Sequence, residues 1–367
     1  MKVVKFGGSS LATSGSILLA KNIVESDPAR KFIIVSAPGR AEGFNRKVTD
    51  LLIETYAQLC YQETSKSLEE VITRFENLGL ELGVDIEAEL ERCVDEIYIN
   101  KCNRDFVVSR GEYMMALLFS KLVGYRFVDA TRLIIIKKNG KADEQATKER
   151  FSKLGRDHLA EGIVIGGFYG CCQGGGVKLF PRGGSDYSGA IAAALLPSKR
   201  YENFTDTYGV QTANPAVVSN TQTIPRLDYK TLHKLSLAGA SVIYPECLPL
   251  LKKYNVPMII DNTFDPFKKF TTVSNSMETG TLVGSSFFCI TYETKQNINK
   301  HMAQVLCIYN EIHFNPSKLE KALEAFEVYL TTYKKKCTGG EFSLLASASQ
   351  VEPVVQKLHK MLAEVNQ

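Results

Sequence analysis

Four short clusters hold most of the residue types in this chain that could handle a charged small molecule. The first, Lys5, Phe6, Gly7, Gly8, Ser9 and Ser10, lies where the apolar run Val3, Val4 gives way to polar sequence. A strand that delivers a lysine, two glycines and two hydroxyls brings backbone N–H groups close to an anion, with the lysine as a point charge. An ordinary glycine turn after a strand is the competing reading. The second cluster, Pro181, Arg182, Gly183, Gly184, Ser185, Asp186, Tyr187, Ser188 and Gly189, leads into an alanine-rich helix. Ser185 and Asp186 are candidate helix caps, and Arg182 offers a planar fork matched to a carboxylate. The glycine run 174–176 before it predicts a mobile loop.

The third cluster, Ser109, Arg110, Gly111 and Glu112, is predicted to head a helix through Met114, Met115, Leu117 and Leu118. A first-turn Glu112 either complements the helix dipole, worth about 0.3–1 kcal/mol, or receives a substrate ammonium. The residues alone leave both readings open. The fourth, Thr205, Asp206, Thr207, Tyr208, Gly209 and Val210, is a polar turn in which Asp206 either accepts from a ribose or adenine or serves the turn itself.

The elements that must position these clusters alternate between strand and helix. Strand-like runs at Lys2 to Phe6, Lys31 to Ser36, Arg126 to Asp129, Gly162 to Gly166 and Met258 to Asp261 predict a largely parallel sheet covered on both faces. Between Ser65 and Asn100 the chain is charged, leucine-bearing and strand-poor, which predicts a helical pair outside the sheet, as a lid or an oligomer contact. After about Gly284 the pattern changes. Apolar runs at Phe287 to Thr291, Val305 to Tyr309 and Phe342 to Ala346, with helices at Ser317 to Tyr333 and Pro353 to Val365, predict a small α+β unit.

Bulk properties exclude several classes. A length of 367 residues with 44% hydrophobic content suits one large α/β domain and a small companion. The net charge of +4 is dispersed apart from Lys334, Lys335 and Lys336, so nucleic acid is not implied. A strand pattern that begins at the second residue, and the lack of a long continuous apolar run, predict neither a signal peptide nor a membrane span, and a cytoplasmic location. Nine cysteines without a CxxC pair read as reduced thiols, with the adjacent Cys171 and Cys172 as packing residues. None of the five histidines sits at ligand spacing, so no protein-bound metal is expected.

In order and separation the clusters resemble one family, the aspartokinases of the amino-acid-kinase fold. KFGGSS at 5 to 10 is similar to the family's opening segment, VSAPG at 35 to 39 and ValThrAspLeuLeu at 48 to 52 to the next two. SRGE at 109 to 112, RGGSD at 182 to 186, FTDTYGV at 204 to 210, AGASVIYPE at 238 to 246 and IleAspAsnThrPhe at 260 to 264 follow in the family's order. The resemblance implies a three-layer α/β sandwich with a mostly parallel sheet over 1–285 and a single or incomplete ACT-like module over 286–367.

It further implies ATP-dependent phosphorylation of L-aspartate on its β-carboxylate, with Mg²⁺ carried on the phosphates, in a homodimer or higher homo-oligomer. By the same resemblance Lys5, Gly7, Gly8 and Ser9 hold the transferred phosphoryl group and Asp186 orients Lys5. Thr49, Glu112, Arg182, Gly183, Gly184 and Ser185 bind aspartate, and Thr205, Asp206 and Gln211 meet the nucleotide. Gln211, Asn214, Ala216, Ser241 and Tyr244 depart from the family's usual residues, and all but Tyr244 fall on the family's nucleotide side, which implies a variant nucleotide site. Another carboxylate kinase of the same fold and a non-catalytic amino-acid sensor are the alternative readings. The short tail implies weak or absent inhibition by lysine or threonine.

Overall fold

The computed structural model describes residues 1–181, 183–275, 288–294, 302–309, 341–347 and 349–365. Arg182, the predicted helix Ser317 to Tyr333 and the lysine run 334–336 lie outside the described residues. In chain order the elements begin β1 (Lys2–Phe6), α1 (Ser14–Glu25), β2 (Arg30–Val35), α2 (Val48–Leu59), α3 (Lys66–Leu82), α4 (Glu87–Ile99), α5 (Arg104–Val123) and β3 (Arg126–Phe127). They continue β4 (Ile135–Ile136), α6 (Glu144–Ser152), α7 (Arg156–Glu161), β5 (Ile163–Gly166), β6 (Tyr169–Cys172), β7 (Val177–Leu179), α8 (Gly184–Leu195) and β8 (Tyr201–Thr205). Then come β9 (Arg226–Asp228), α9 (Tyr229–Leu237), α10 (Cys247–Lys253), β10 (Met258–Asn262), β11 (Thr271–Ser274), β12 (Phe288–Thr294), β13 (Met302–Tyr309), β14 (Glu341–Ser347) and a closing helix Val351–Val365.

The chain divides into two compact units, 1–207 with 250–268, and 208–249 with 269–367. In the first, the strands lie in the order β3-β5-β2-β1-β8-β10, every pair parallel. Parallel strands joined through helices are covered on both faces and read as near-continuous apolar runs. KVVKF and RKFIIV do so, with Val3, Val4, Phe6, Phe32, Ile33, Ile34 and Val35 inaccessible to solvent. Lys5 is the exception in β1, and its register partners are Ile34 and Asn203.

The helical pair predicted between Ser65 and Asn100 is present as α3 and α4, each with an apolar stripe in the main core through Leu68, Val71, Phe75, Leu78, Leu90, Cys93 and Ile97. It is fastened to the unit instead of forming a free lid. The buried Arg74 on α3 donates to the carbonyls of Gly39, Ala12 (3.2 Å) and Arg46 (3.0 Å), and its guanidinium lies 5.1 Å from the centre of the Phe44 ring. The glycine run 174–176 is a hairpin turn between β6 and β7, with Cys172 N donating to Gly176 O at 3.0 Å.

The second unit holds the parallel pair β9 and β11 and an antiparallel sheet in the order β12-β13-β14. The closing helix packs Val351, Val354, Val355, Leu358 and Leu362 into a core with Ile290, Val305 and Leu344. Among the described residues no helix is long and apolar enough to cross a membrane.

Candidate active site

The site grows from the carboxyl ends of β1, β2 and β8, the end at which open parallel sheets bind ligands. At the tip of β1 Lys5 is only 7% exposed, and its Nζ lies 2.6 Å from Asp186 Oδ1 in the first turn of α8. Asp186 therefore pairs with Lys5 instead of capping α8. The position before the helix is taken by Gly183 at φ 72°, with no side-chain cap.

The loops after β1 and β2 meet back to back. Gly39 N donates to Gly8 O at 2.8 Å, and a Cβ on Gly39 would stand 2.7 Å from the Gly8 carbonyl carbon. No side chain fits at that contact, so the glycines set how closely the loops approach. Gly7 N donates to Phe204 O at 3.1 Å and so continues the β1–β8 ladder. The N–H groups of Gly8 and Ser9 have no acceptor among the described residues. Of the predicted backbone donors, these two remain available to an anion, whereas Gly7 N–H is already used. The loop is held from below by Ser10 Oγ and Thr263 Oγ1, 2.6 Å apart and buried. Thr263 N in turn donates to Thr205 O at 2.9 Å, and Asn262 Nδ2 to Asp206 O at 3.5 Å. Thr205 Oγ1 donates to the exposed Asp206 carboxylate at 3.2 Å.

Glu112 is not where the sequence placed it. The helix begins at Arg104, with Asn103 Oδ1 accepting from Phe106 N at 3.2 Å, so Glu112 sits in mid-helix, away from the helix terminus. The first-turn dipole reading falls with it. Gly111, which looked like a helix start, is instead required inside the helix. A Cβ there would come within 2.9 Å of Ala37 Cβ and Val48 Cγ1, so the glycine lets α5 press against the β2 loop and the start of α2. This contact brings Glu112 beside Ala37, whose N–H donates to the carboxylate, with Thr49 at the head of α2 next to Val48. Glu112 is 4% exposed, its Oε2 has no hydrogen-bond partner, and burial pushes its carboxyl up to about 8. A buried carboxylate without a cation is costly, and an ammonium placed there would relieve it.

Gly184 and Ser185 open α8 and are buried. Gly167, one residue past β5, has Ser185 Cα only 2.8 Å from where its Cβ would be. The N-terminus of α8 is thus close against the ends of β5 and β2. Gln211 belongs to the second unit, where its Nε2 donates to Tyr208 O (2.6 Å) and Thr223 Oγ1 (2.9 Å).

Sequence reasoning missed two residues. Arg74 ties α3 to the β2 loop, and it stands on the apolar stripe of its helix between Val71 and Leu78, a misplaced charge that was the available signal. Asn203 is in register with Lys5 on the neighbouring strand, buried, with neither side-chain amide atom hydrogen-bonded. A polar residue inside an apolar strand was its only mark.

Glycine loops at the ends of central parallel strands, a lysine among them and a buried acid alongside form the constellation of a small-molecule phosphotransferase of the α/β class. The sequence profile of the amino acid kinase family matches residues 1–262. Aspartokinase 3 of Bacillus subtilis is 32% identical over 380 aligned positions, covering 97% of this chain and 80% of the relative. The aspartokinase of Chlamydia pneumoniae is 28% identical, with 74% of this chain covering 62% of that protein. Among solved structures, aspartate kinase of Clostridium acetobutylicum superposes with a TM-score of 0.83 at 24% identity, over 99% of this chain and all of the other. Escherichia coli aspartokinase III, solved with aspartate and ADP, gives 0.79 at 20% identity over the same shares. The chain belongs to the amino acid kinase family and, within it, to the aspartokinases.

Proposed function

We propose that this chain transfers the γ-phosphoryl group of ATP to the β-carboxylate of L-aspartate, giving 4-phospho-L-aspartate. The observation that carries the reading is the pairing of a lysine held at 2.6 Å by Asp186 with a buried carboxylate, Glu112, that has no cation among the described residues. The first suits a transferring phosphoryl group and the second an amino acid's ammonium.

The acceptor carboxylate is ionised at neutral pH, so the reaction needs no general base. Catalysis is positioning and charge stabilisation. Lys5 Nζ neutralises charge on the phosphoryl oxygens while Asp186 fixes its direction, and the free N–H groups of Gly8 and Ser9 contribute donors. Glu112 takes the ammonium of aspartate, Thr49 and the N-terminal turn of α8 at Gly183, Gly184 and Ser185 hold its carboxylate, and Arg182 is assigned to the same group by sequence. Thr205, Asp206 and Gln211 are assigned to the nucleotide. Mg²⁺ would ride on the ATP phosphates as part of that substrate, because Asp186 is already committed to Lys5; it would neutralise phosphate charge. The proposal extends to a kinase domain over 1–285, an ACT-like module over 286–367, a homodimer or larger assembly and a cytoplasmic location.

A coupled ADP-release assay with aspartate, glutamate, acetylglutamate and carbamate tests the reading, alongside calorimetric titration of aspartate. Turnover with aspartate is expected. Turnover with another acid alone, or aspartate binding with no ADP released, would overturn it.

A further inference from the structure

We propose that the outer edge of the first unit carries a second anion-binding site, built for a small organic polyanion with two or more phosphate or carboxylate groups. A cavity of about 620 Å³ opens beside the edge strand β3. That volume lies within the range of small-molecule pockets, roughly 300–1,000 Å³.

Its lining is lopsided in charge. Arg126, Arg132, Arg150, Lys153 and His158 converge on it from β3, the turn after it, α6 with its C-terminal end, and α7, and among the described residues the only acid in the lining is Asp129. The chain as a whole is nearly balanced, with 44 Lys and Arg against 40 Asp and Glu, so four permanent cations facing one carboxylate are a local excess. Asp129 is partly spent, since its Oδ1 accepts from Thr131 N at 2.9 Å. Arg150 is anchored at the wall by donating to Thr131 O at 2.7 Å. The side chains of Arg126, Arg132, Lys153 and His158 make no ion pair or hydrogen bond among the described residues.

Cations that outnumber their counter-charges repel one another, and an anion removes that repulsion. Guanidinium forks match phosphate or carboxylate oxygens in pairs, and three arginines on different elements can address a ligand with more than one such group. Tyr113 and Phe127, in edge contact at 5.1 Å between ring centres, supply an apolar floor. The cavity is separate from the β1 loop. In the strand order β3-β5-β2-β1 three strand spacings intervene, roughly 14 Å.

The test is isothermal titration of the full chain with pyrophosphate and, separately, citrate at low ionic strength. It is repeated on the triple variant Arg126→Gln, Arg132→Gln, Lys153→Gln and on Lys5→Ala. Arg150 is left in place because it holds the Thr131 carbonyl. At least one probe is expected to bind, with the dissociation constant raised tenfold or more in the triple variant, unchanged in Lys5→Ala, and kcat of the triple variant within twofold of wild type. Binding of pyrophosphate alone marks a phosphorylated ligand, and of citrate alone a polycarboxylate. The proposal is overturned if neither probe binds, if the triple variant binds as wild type does, or if Lys5→Ala abolishes the binding, which would move the anion to the β1 loop.

Discussion

Two glutamates are buried in the first unit, and their surroundings are opposite. Glu202 on β8 is met by Arg30 Nε at 2.7 Å, Lys2 Nζ at 3.1 Å and Arg200 at 3.2 Å. Arg30 is held further by Ser26 Oγ at 2.8 Å and lies 5.0 Å from the centre of the Phe267 ring. Glu112 on α5 has a backbone N–H and, among the described residues, no cation. A buried charge needs compensation from somewhere. Glu202 receives it from the fold and is structural. Glu112 lacks it among the described residues, and without a cation it keeps its proton up to about pH 8, which suits the role of ammonium acceptor proposed for it. Burial alone does not separate the two; the presence of partners does.

Three substitutions sharpen that contrast. The largest effect is expected outside it, at Lys5, where charge must be stabilised in the transition state. Lys5→Ala should lower kcat by about 10⁴-fold, the scale seen when a cation is removed from a transferring phosphoryl group, while circular dichroism reports an intact fold. Activity within tenfold of wild type would end the role given to Lys5. Glu202→Ala comes next and should act on stability. Breaking a buried pair from one side costs about 3–5 kcal/mol, to be read in urea unfolding, with KM for aspartate unchanged in the folded fraction. A raised KM would mean that Glu202 is no mere brace.

Glu112→Gln should do the reverse, raising KM for aspartate roughly 10²-fold, in line with a lost charge-assisted contact of about 2–3 kcal/mol. Its stability signature has a definite sign. The carboxyl is raised from the ordinary 4.5 to about 8 in the folded chain, so the folded state holds the proton more tightly than the unfolded one. This contribution is fully present below about pH 4.5 and is lost as pH rises through 8, at up to about 1.4 kcal/mol per pH unit within the window. Glu112→Gln should flatten that slope, measured by unfolding between pH 5 and 8.5 without substrate. An unchanged slope would assign the proton elsewhere.

The parallel sheet and the residue types of the site were legible because each has a local signature. Apolar runs mark buried strands, and paired glycines after a strand mark close backbone approach. The same logic failed at Glu112. The cluster at 109–112 reads as the head of a helix, yet Gly111 lies inside it, unfavourable there for glycine, and is retained where Ala37 and Val48 leave no room for a Cβ. Such crowding is set by segments more than sixty residues away and leaves no local trace. Asp186 shows the same limit, since from its own residues it reads as a helix cap, and only the family resemblance pairs it with the lysine of β1 that lies 2.6 Å away. The charge excess beside β3 was invisible as well, because its cations are scattered from 126 to 158 and meet only after folding.

The reach of Arg74 bears on how the first unit opens. One guanidinium holds a carbonyl from the stretch leading to α1 and two from the connection between β2 and α2, at Gly39 and Arg46, two segments otherwise independent in sequence. Local unfolding proceeds in cooperative blocks whose limits are drawn by such shared bonds. Fraying of α3 should therefore release both segments together, and their amides are expected to exchange with solvent as a single block governed by the stability of that helix.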